Sequence, residues 1–179
     1  MIKEGERLPE ASFVVMEKRA ASKKSTMDIF AGRRVALFGL PGAFTPVCHR
    51  EHLPGIVSLV DTLEKNGVDV VACTAVNDVF VLHRWARDHG AQRKVLMLAD
   101  GNADFAMRSG LAVDLSEFGL GIRSNRYAMV VRDGTVEILN VENALSEHDA
   151  SSAASVCRLL EQDAPLQTAP EPTGTPTPI

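Results

Sequence analysis

The sequence predicts an α/β fold built on a central mixed sheet with helices on both faces. Three observations carry that prediction. Continuous apolar runs at 35–40, 68–76 and 95–99 are of the kind expected of strands buried on both sides. Helical patterns lie between them, and an Asp133-Gly134 hairpin signal follows them. With 179 residues, 45% hydrophobic and 23% charged, the chain is sized for one domain with its own core, expected at 1–163. The tail at 164–179 is rich in proline and is expected to be disordered.

Residues 13–16 form a short apolar run, expected to be an edge strand. The stretch 18–28 begins polar and basic and reads as a hairpin or loop. Arg33 and Arg34 open the buried strand at 35–40. Beyond a turn containing Pro and Gly, Leu53, Ile56, Val57, Leu59, Val60 and Leu63 recur at helical spacing up to an Asn66-Gly67 stop. Pro54 removes one backbone hydrogen bond near the Arg50 carbonyl, which predicts a kink separating the first two turns from the rest. A strand at 68–76 leads into a helix capped by Asn77-Asp78 and running through Trp85 to about His89-Gly90. A strand at 95–99, a short helix at 100–109 closed by Gly110, and a mobile loop marked by Gly119 and Gly121 come next. The strand from Tyr127 pairs through Asp133-Gly134 with 136–139, and Ala153, Val156, Cys157 and Leu160 stripe a final amphipathic helix. Parallel crossovers followed by an antiparallel hairpin make the thioredoxin-type arrangement.

Charge and cysteine usage exclude several classes of partner. A formal net charge of -4, from 19 basic and 23 acidic residues, leaves no footprint for nucleic acid, and no apolar run is long enough to span a membrane. Cys48, Cys73 and Cys157 form no secreted-type framework, and the opening residues lack the apolar core of a signal peptide. The expected setting is reducing and cytoplasmic.

The stretch 40–48 is where a reactive thiol would be built. Thr45 suits an N-cap and Pro46 the first helical position, so Cys48 falls in the first turn, where unpaired N–H groups and the helix dipole favour a negative sulfur. The thiolate is the nucleophilic form. Other readings stand beside this one. Cys48 with His49 and His52 invites a metal site, but no further ligand pair lies at the spacing zinc needs. A Cys–His acyl-transfer pair is a second alternative, with His49 or His52 as base, although His49 follows Cys48 directly and points away from it. Cys73 lies within a buried strand, where it is either a packed thiol or a redox partner. It sits about three residues, roughly 10 Å, before its strand end, whereas a disulfide needs Cα atoms within about 7 Å. Pairing with Cys48 would therefore require the first helical turns to unwind. Cys157 reads as core packing. Arg123 and Arg126 gain meaning only if the strand at Tyr127 lies beside the Cys48 turn.

The run Pro41-Gly42-Ala43-Phe44-Thr45-Pro46-Val47-Cys48 resembles the peroxidatic-cysteine signature of the peroxiredoxins, specifically the type II branch that includes peroxiredoxin-5. The likeness continues through His52-Leu53-Pro54-Gly55, Val76-Asn77-Asp78, Gly119-Leu120-Gly121 and Arg123-Ser124-Asn125-Arg126-Tyr127. It implies a thiol peroxidase that reduces hydrogen peroxide and organic hydroperoxides without a cofactor or metal. Cys48 would be the peroxidatic thiolate, Thr45 the hydroxyl that bonds sulfur and peroxide, Pro41 the shield against water and Arg126 the active-site arginine, with Arg123 in support. Cys73 stands where the plant and bacterial forms of the branch have a cysteine that resolves the first, while other members use one cysteine only. Glutathione, glutaredoxin or thioredoxin would be the reductant, and the resemblance implies a homodimer. The rival from another class is a non-catalytic thioredoxin-fold sensor or binding protein.

Overall fold

A computed structural model of the chain describes residues 1–18 and 20–163; the proline-rich tail at 164–179 lies outside the described residues. Its centre is a seven-stranded mixed sheet. In chain order the strands are β1 (Ser12–Glu17), β2 (Ala20–Ser25), β3 (Arg34–Leu40), β4 (Val70–Ala75), β5 (Leu96–Ala99), then β6 (Ala112–Asp114) and β7 (Ile122–Ser124) in a separate ribbon, β8 (Tyr127–Arg132) and β9 (Thr135–Val141). The large sheet runs β2-β1-β5-β4-β3-β8-β9. β3, β4 and β5 are parallel, while β8 lies antiparallel to both β3 and β9.

Period-2 alternation divides the core into two layers. Ala36, Phe38 and Leu40 of β3 face one side with Ala128 and Val130 of β8, and there they meet α2 (Leu53–Lys65), α3 (Val79–Asp88) and α5 (Ala153–Asp163). Val35 and Leu37 face the other side with Tyr127, Met129 and Val131, against α1 (Thr26–Phe30) and α4 (Asp104–Arg108). Several expected devices are in place. Asp78 caps α3 by accepting from the Phe80 and Val81 N–H groups, and Asp133-Gly134, both at positive φ, turns β8 into β9.

Three expectations need correction. The run at 13–16 is no edge strand, because β1 pairs with β2 on one side and β5 on the other. The edge is β2, whose Lys23 and Lys24 give it the charge that discourages pairing with another chain. The expected mobile loop at Gly119 and Gly121 is the tied-down connection of a hairpin: β6 pairs with β7, Leu115 N–H donates to the Gly121 carbonyl, and Asp114 accepts from the Ser116 N–H and hydroxyl. The helix after Cys48 is not one α-helix with a kink. A π-helical turn, Cys48–His52, precedes α2, and Leu53 N–H reaches five residues back to the Cys48 carbonyl. Pro54, near the start of α2, has no N–H to continue an α ladder onto Arg50, and the wider turn is how the chain absorbs that loss.

Candidate active site

Cys48 opens the π-helical turn at the carboxyl end of β3, and its side chain is completely buried. The turn before it is under tension. Phe44 carries φ +62, a left-handed conformation that costs an aromatic residue energy, and its ring lies 5.6 Å from His49 and 6.3 Å from Trp85. Gly42 packs closely under Arg123: a Cβ there would stand 2.9 Å from Nη1 and would push the guanidinium aside. Arg123 in turn donates to the carbonyls of Leu120 and Val76, and Asn77 Oδ1 accepts from Ala43 N–H. Pro41 is buried at the exit of β3.

Thr45 stands at the expected N-cap position, but its side chain does not cap the helix. Its hydroxyl donates to the Gly42 carbonyl at 2.8 Å, while its own carbonyl accepts from His49 N–H. With its one proton committed, the hydroxyl has only lone pairs left to offer, so toward a ligand it is an acceptor.

Because β8 lies beside β3, Arg126, one residue before Tyr127, reaches the thiol from 78 positions away. Its Nη1 donates to Cys48 Sγ at 3.2 Å, and the residue is only 2% exposed. A charged donor against sulfur is strongest when the sulfur is anionic. The guanidinium is held from behind by the Leu145 carbonyl, which accepts from Nε and Nη2 at 3.3 and 2.8 Å. Nη1 also meets His52 Nδ1 at 3.1 Å, and His52 Nε2 lies 3.0 Å from the Ser151 carbonyl. A carbonyl only accepts, so Nε2 bears the proton and Nδ1 accepts from Arg126. Burial above all, opposed by the Ser151 bond and reinforced by the Arg126 and His148 charges, lowers the His52 pKa from 6.5 to about 4.

His52 is therefore no base for Cys48, because its free nitrogen is turned to Arg126. His49 points away from the sulfur, as expected, and its Nδ1 meets Trp85 Nε1 and His89 Nε2 at 3.1 and 2.9 Å. Among the described residues, no group of three His, Cys, Asp or Glu side chains is arranged to hold a metal. Cys73 sits opposite Phe38 in the sheet, fully buried in the same layer as Cys48. Burial, then the Cys48 charge, push its pKa well up. Cys157 is buried on α5 and packed in that layer too. Sequence reasoning missed the use of His52 and the Leu145 carbonyl. The four-residue step from Cys48 to His52, which puts both on one helical face, was a usable signal; a backbone carbonyl leaves none.

The redoxin family model matches residues 3–156. The chain belongs to the peroxiredoxins. It is 40% identical over 142 residues to Peroxiredoxin-2E, chloroplastic, of Arabidopsis thaliana, a match covering 77% of this chain and 61% of that protein. It is 38% identical to Peroxiredoxin-2E-2, chloroplastic, of Oryza sativa subsp. japonica, over 87% of this chain and 71% of the relative. Thus the chain spans less than two thirds of the Arabidopsis relative's length. Among solved structures, reduced Prx3 of Vibrio vulnificus in complex with hydrogen peroxide superposes with a TM-score of 0.85 at 42% identity, covering 89% of this chain and 99% of that one. Peroxiredoxins are thiol-dependent peroxidases, and the thioredoxin-like α/β fold expected from the sequence is the one they share with this chain.

Proposed function

We propose that this peroxiredoxin reduces hydrogen peroxide and organic hydroperoxides at Cys48. The observation that carries this reading is the 3.2 Å hydrogen bond from buried Arg126 to the Cys48 sulfur. The Vibrio relative's complex with hydrogen peroxide supports the choice of substrate.

In this reading the Cys48 thiolate attacks one peroxide oxygen in line with the O–O bond. An S–O bond forms as the O–O bond breaks; sulfur loses two electrons, and the departing oxygen leaves as hydroxide or alkoxide and takes up a proton. Cys48 is left as a sulfenic acid. Arg126 stabilises the charge moving onto the leaving oxygen, Thr45 accepts from the peroxide O–H and so orients it, and Pro41 keeps bulk water from the sulfur.

Re-reduction calls for a thiol. Glutathione with glutaredoxin, or thioredoxin, fits a reducing, cytoplasmic setting. If Cys73 resolves Cys48, the π-helical turn must unwind first, because a buried thiol with a raised pKa is a poor nucleophile where it stands. A homodimer is supported by exposed Phe44, Phe80 and Leu120, carried on segments that Asn77 and Arg123 tie together.

Sustained peroxide consumption with each reductant tests the reading. Wild-type protein turns over many equivalents with at least one of them, and Cys48→Ser abolishes turnover. A protein that consumes a single equivalent with every reductant is a stoichiometric sensor instead, and normal turnover by Cys48→Ser removes Cys48 from the chemistry.

A further inference from the structure

We propose that His49 and His89 form a clasp tying the turn that carries Cys48 to α3, and that proton uptake by this pair opens the turn at mildly acidic pH. The clasp stands on geometry alone; only its consequence for turnover rests on the peroxidase reading.

The two imidazoles meet between the π-helical turn and the end of α3, with ring centroids 4.5 Å apart and His89 Nε2 2.9 Å from His49 Nδ1. Trp85 decides which of these nitrogens carries the proton. Its indole N–H, which only donates, lies 3.1 Å from the same His49 Nδ1, so that nitrogen is bare and the facing His89 Nε2 bears the hydrogen. One lone pair on the turn thus receives two donors from α3 and its cap. Trp85 is completely buried, while both histidines are half-buried and within reach of solvent protons.

A first proton has a harmless place to go. On His89 Nδ1 it leaves the Nε2–H donating and makes that bond charge-assisted. A second proton has only His49 Nδ1, where it sets N–H against N–H and strips the buried indole of its acceptor. In taking it up, His49 lets go of α3, and the turn loses the tie that holds it there. Few other charges bear on the pair. From α3, Asp88 draws a proton toward His89, although its carboxylate also accepts from Arg84 at 2.9 Å, and Arg87 is exposed. Burial first, and then His49, outweigh Asp88, so the His89 pKa lies below the ordinary 6.5. On the turn, Arg50 is exposed and Glu51 pairs with His148 at 3.4 Å, while the segment before it brings the uncharged Phe44 ring. Cys48 and His52 face the other side, toward Arg126, and the lowered His52 pKa makes the turn acid-sensitive in its own right. With His89 lowered, the closed clasp binds fewer protons than the open one; closure is fully favoured above pH 6.5 and loses ground as pH falls.

The test is amide hydrogen exchange by mass spectrometry on the reduced protein at pH 7.5 and pH 5, corrected for the intrinsic exchange rate at each pH. It follows the peptide holding the His49 and Leu53 amides, whose bonds to the Thr45 and Cys48 carbonyls report the folded turn. An imidazole freed into solvent titrates at about 6.5, so one net proton taken up on opening raises the opening equilibrium by about 10- to 30-fold over this range. His49→Asn keeps an acceptor near the Nδ1 position but takes up no proton. Its change between the two pH values should be smaller than that of the wild type by this factor, the share due to His52 being common to both. His49→Leu offers no acceptor at any pH and should exchange faster than wild type already at pH 7.5. An equal pH effect in wild type and His49→Asn overturns the proposal, as does slow exchange at pH 7.5 in His49→Leu.

A second readout uses wild-type protein alone and decides the matter even where a variant folds poorly. By nuclear magnetic resonance, the Trp85 indole N–H should be protected from exchange at pH 7.5 and should lose that protection as His49 and His89 both become protonated. Protonation of both imidazoles with the indole still protected contradicts the clasp. Where the peroxidase reading holds, an open turn is what exposes oxidised Cys48 to a reducing thiol, so the clasp sets how readily the turn gives way after oxidation. Neither measurement uses peroxide: a protein inert to peroxide removes the peroxidase reading, while exchange at the turn and at the indole still decides the clasp.

Discussion

At the scale of single residues, the site depends on where a few protons are held. Arg126 is the only charge hydrogen-bonded to the Cys48 sulfur among the described residues, and in the proposed reaction it also stabilises the leaving oxygen. Arg126→Gln should therefore lower the peroxide rate constant by about 10²- to 10³-fold, the effect of removing one preorganised donor from a developing negative charge. Rapid-mixing kinetics with Trp85 fluorescence would read it, because Trp85 is the one tryptophan in the chain and its indole bonds to His49, next to Cys48. His52 makes a separate prediction for stability. Its folded pKa of about 4 lies below the ordinary 6.5, so the unfolded chain takes up a proton at higher pH than the native state. The contribution is complete above pH 6.5, falls as pH drops toward 4 and is exhausted below that, amounting to about 3 kcal/mol. Chemical denaturation at pH 7 and pH 4.5 should show this fall in wild-type protein and a smaller one in His52→Leu.

At the scale of elements, the strand pair β3–β8 and the π-helical turn decide whether the site exists. Gly39 of β3 faces Tyr127 of β8, and a Cβ at Gly39 would lie 2.0 Å from the Tyr127 ring. Gly39→Ala should destabilise the fold by about 3 kcal/mol or more, since a fully buried ring has no room to retreat, and thermal unfolding will measure it. Tyr127→Phe should be neutral or stabilising by up to about 1 kcal/mol, because the Tyr127 hydroxyl is buried and meets no hydrogen-bond partner among the described residues. These elements were unevenly legible in the sequence. The capped, proline-bearing turn at Cys48 and the buried runs of β3, β4 and β8 follow from local patterns, and so they could be read. Pro54 announced an irregularity but not its form, because a missing N–H can be absorbed by a kink or by a wider turn. The mistaken edge strand has a different cause: strand order depends on which partner a run meets, and the pattern at 13–16 says nothing of the polar β2 that covers it.

At the scale of the whole molecule, the site is assembled from parts far apart in sequence, and that is why it was only partly legible. The type of residue at Arg126 and its place at the start of a strand are local facts. Its reach to Cys48 depends on β8 pairing with β3, and the His52–Ser151 bond beside it depends on the head of α5 packing over the same layer. Exposed aromatic residues carry the prediction at this scale. Phe80 is 68% exposed, and Phe80→Asp should shift a dimer toward monomer in sedimentation velocity while leaving the monomer folded. Identical sedimentation of variant and wild type would remove Phe80 from any interface.

The central claim is that Cys48 is the atom peroxide oxidises. One equivalent of hydrogen peroxide, added to fully reduced protein in the presence of a sulfenic acid trap, followed by peptide mass spectrometry, tests it most directly. The trap adduct should appear on Cys48 alone, or be replaced by a Cys48–Cys73 disulfide if resolution outruns trapping. An adduct confined to Cys73 or Cys157, or none with Cys48 still a free thiol, would contradict the account.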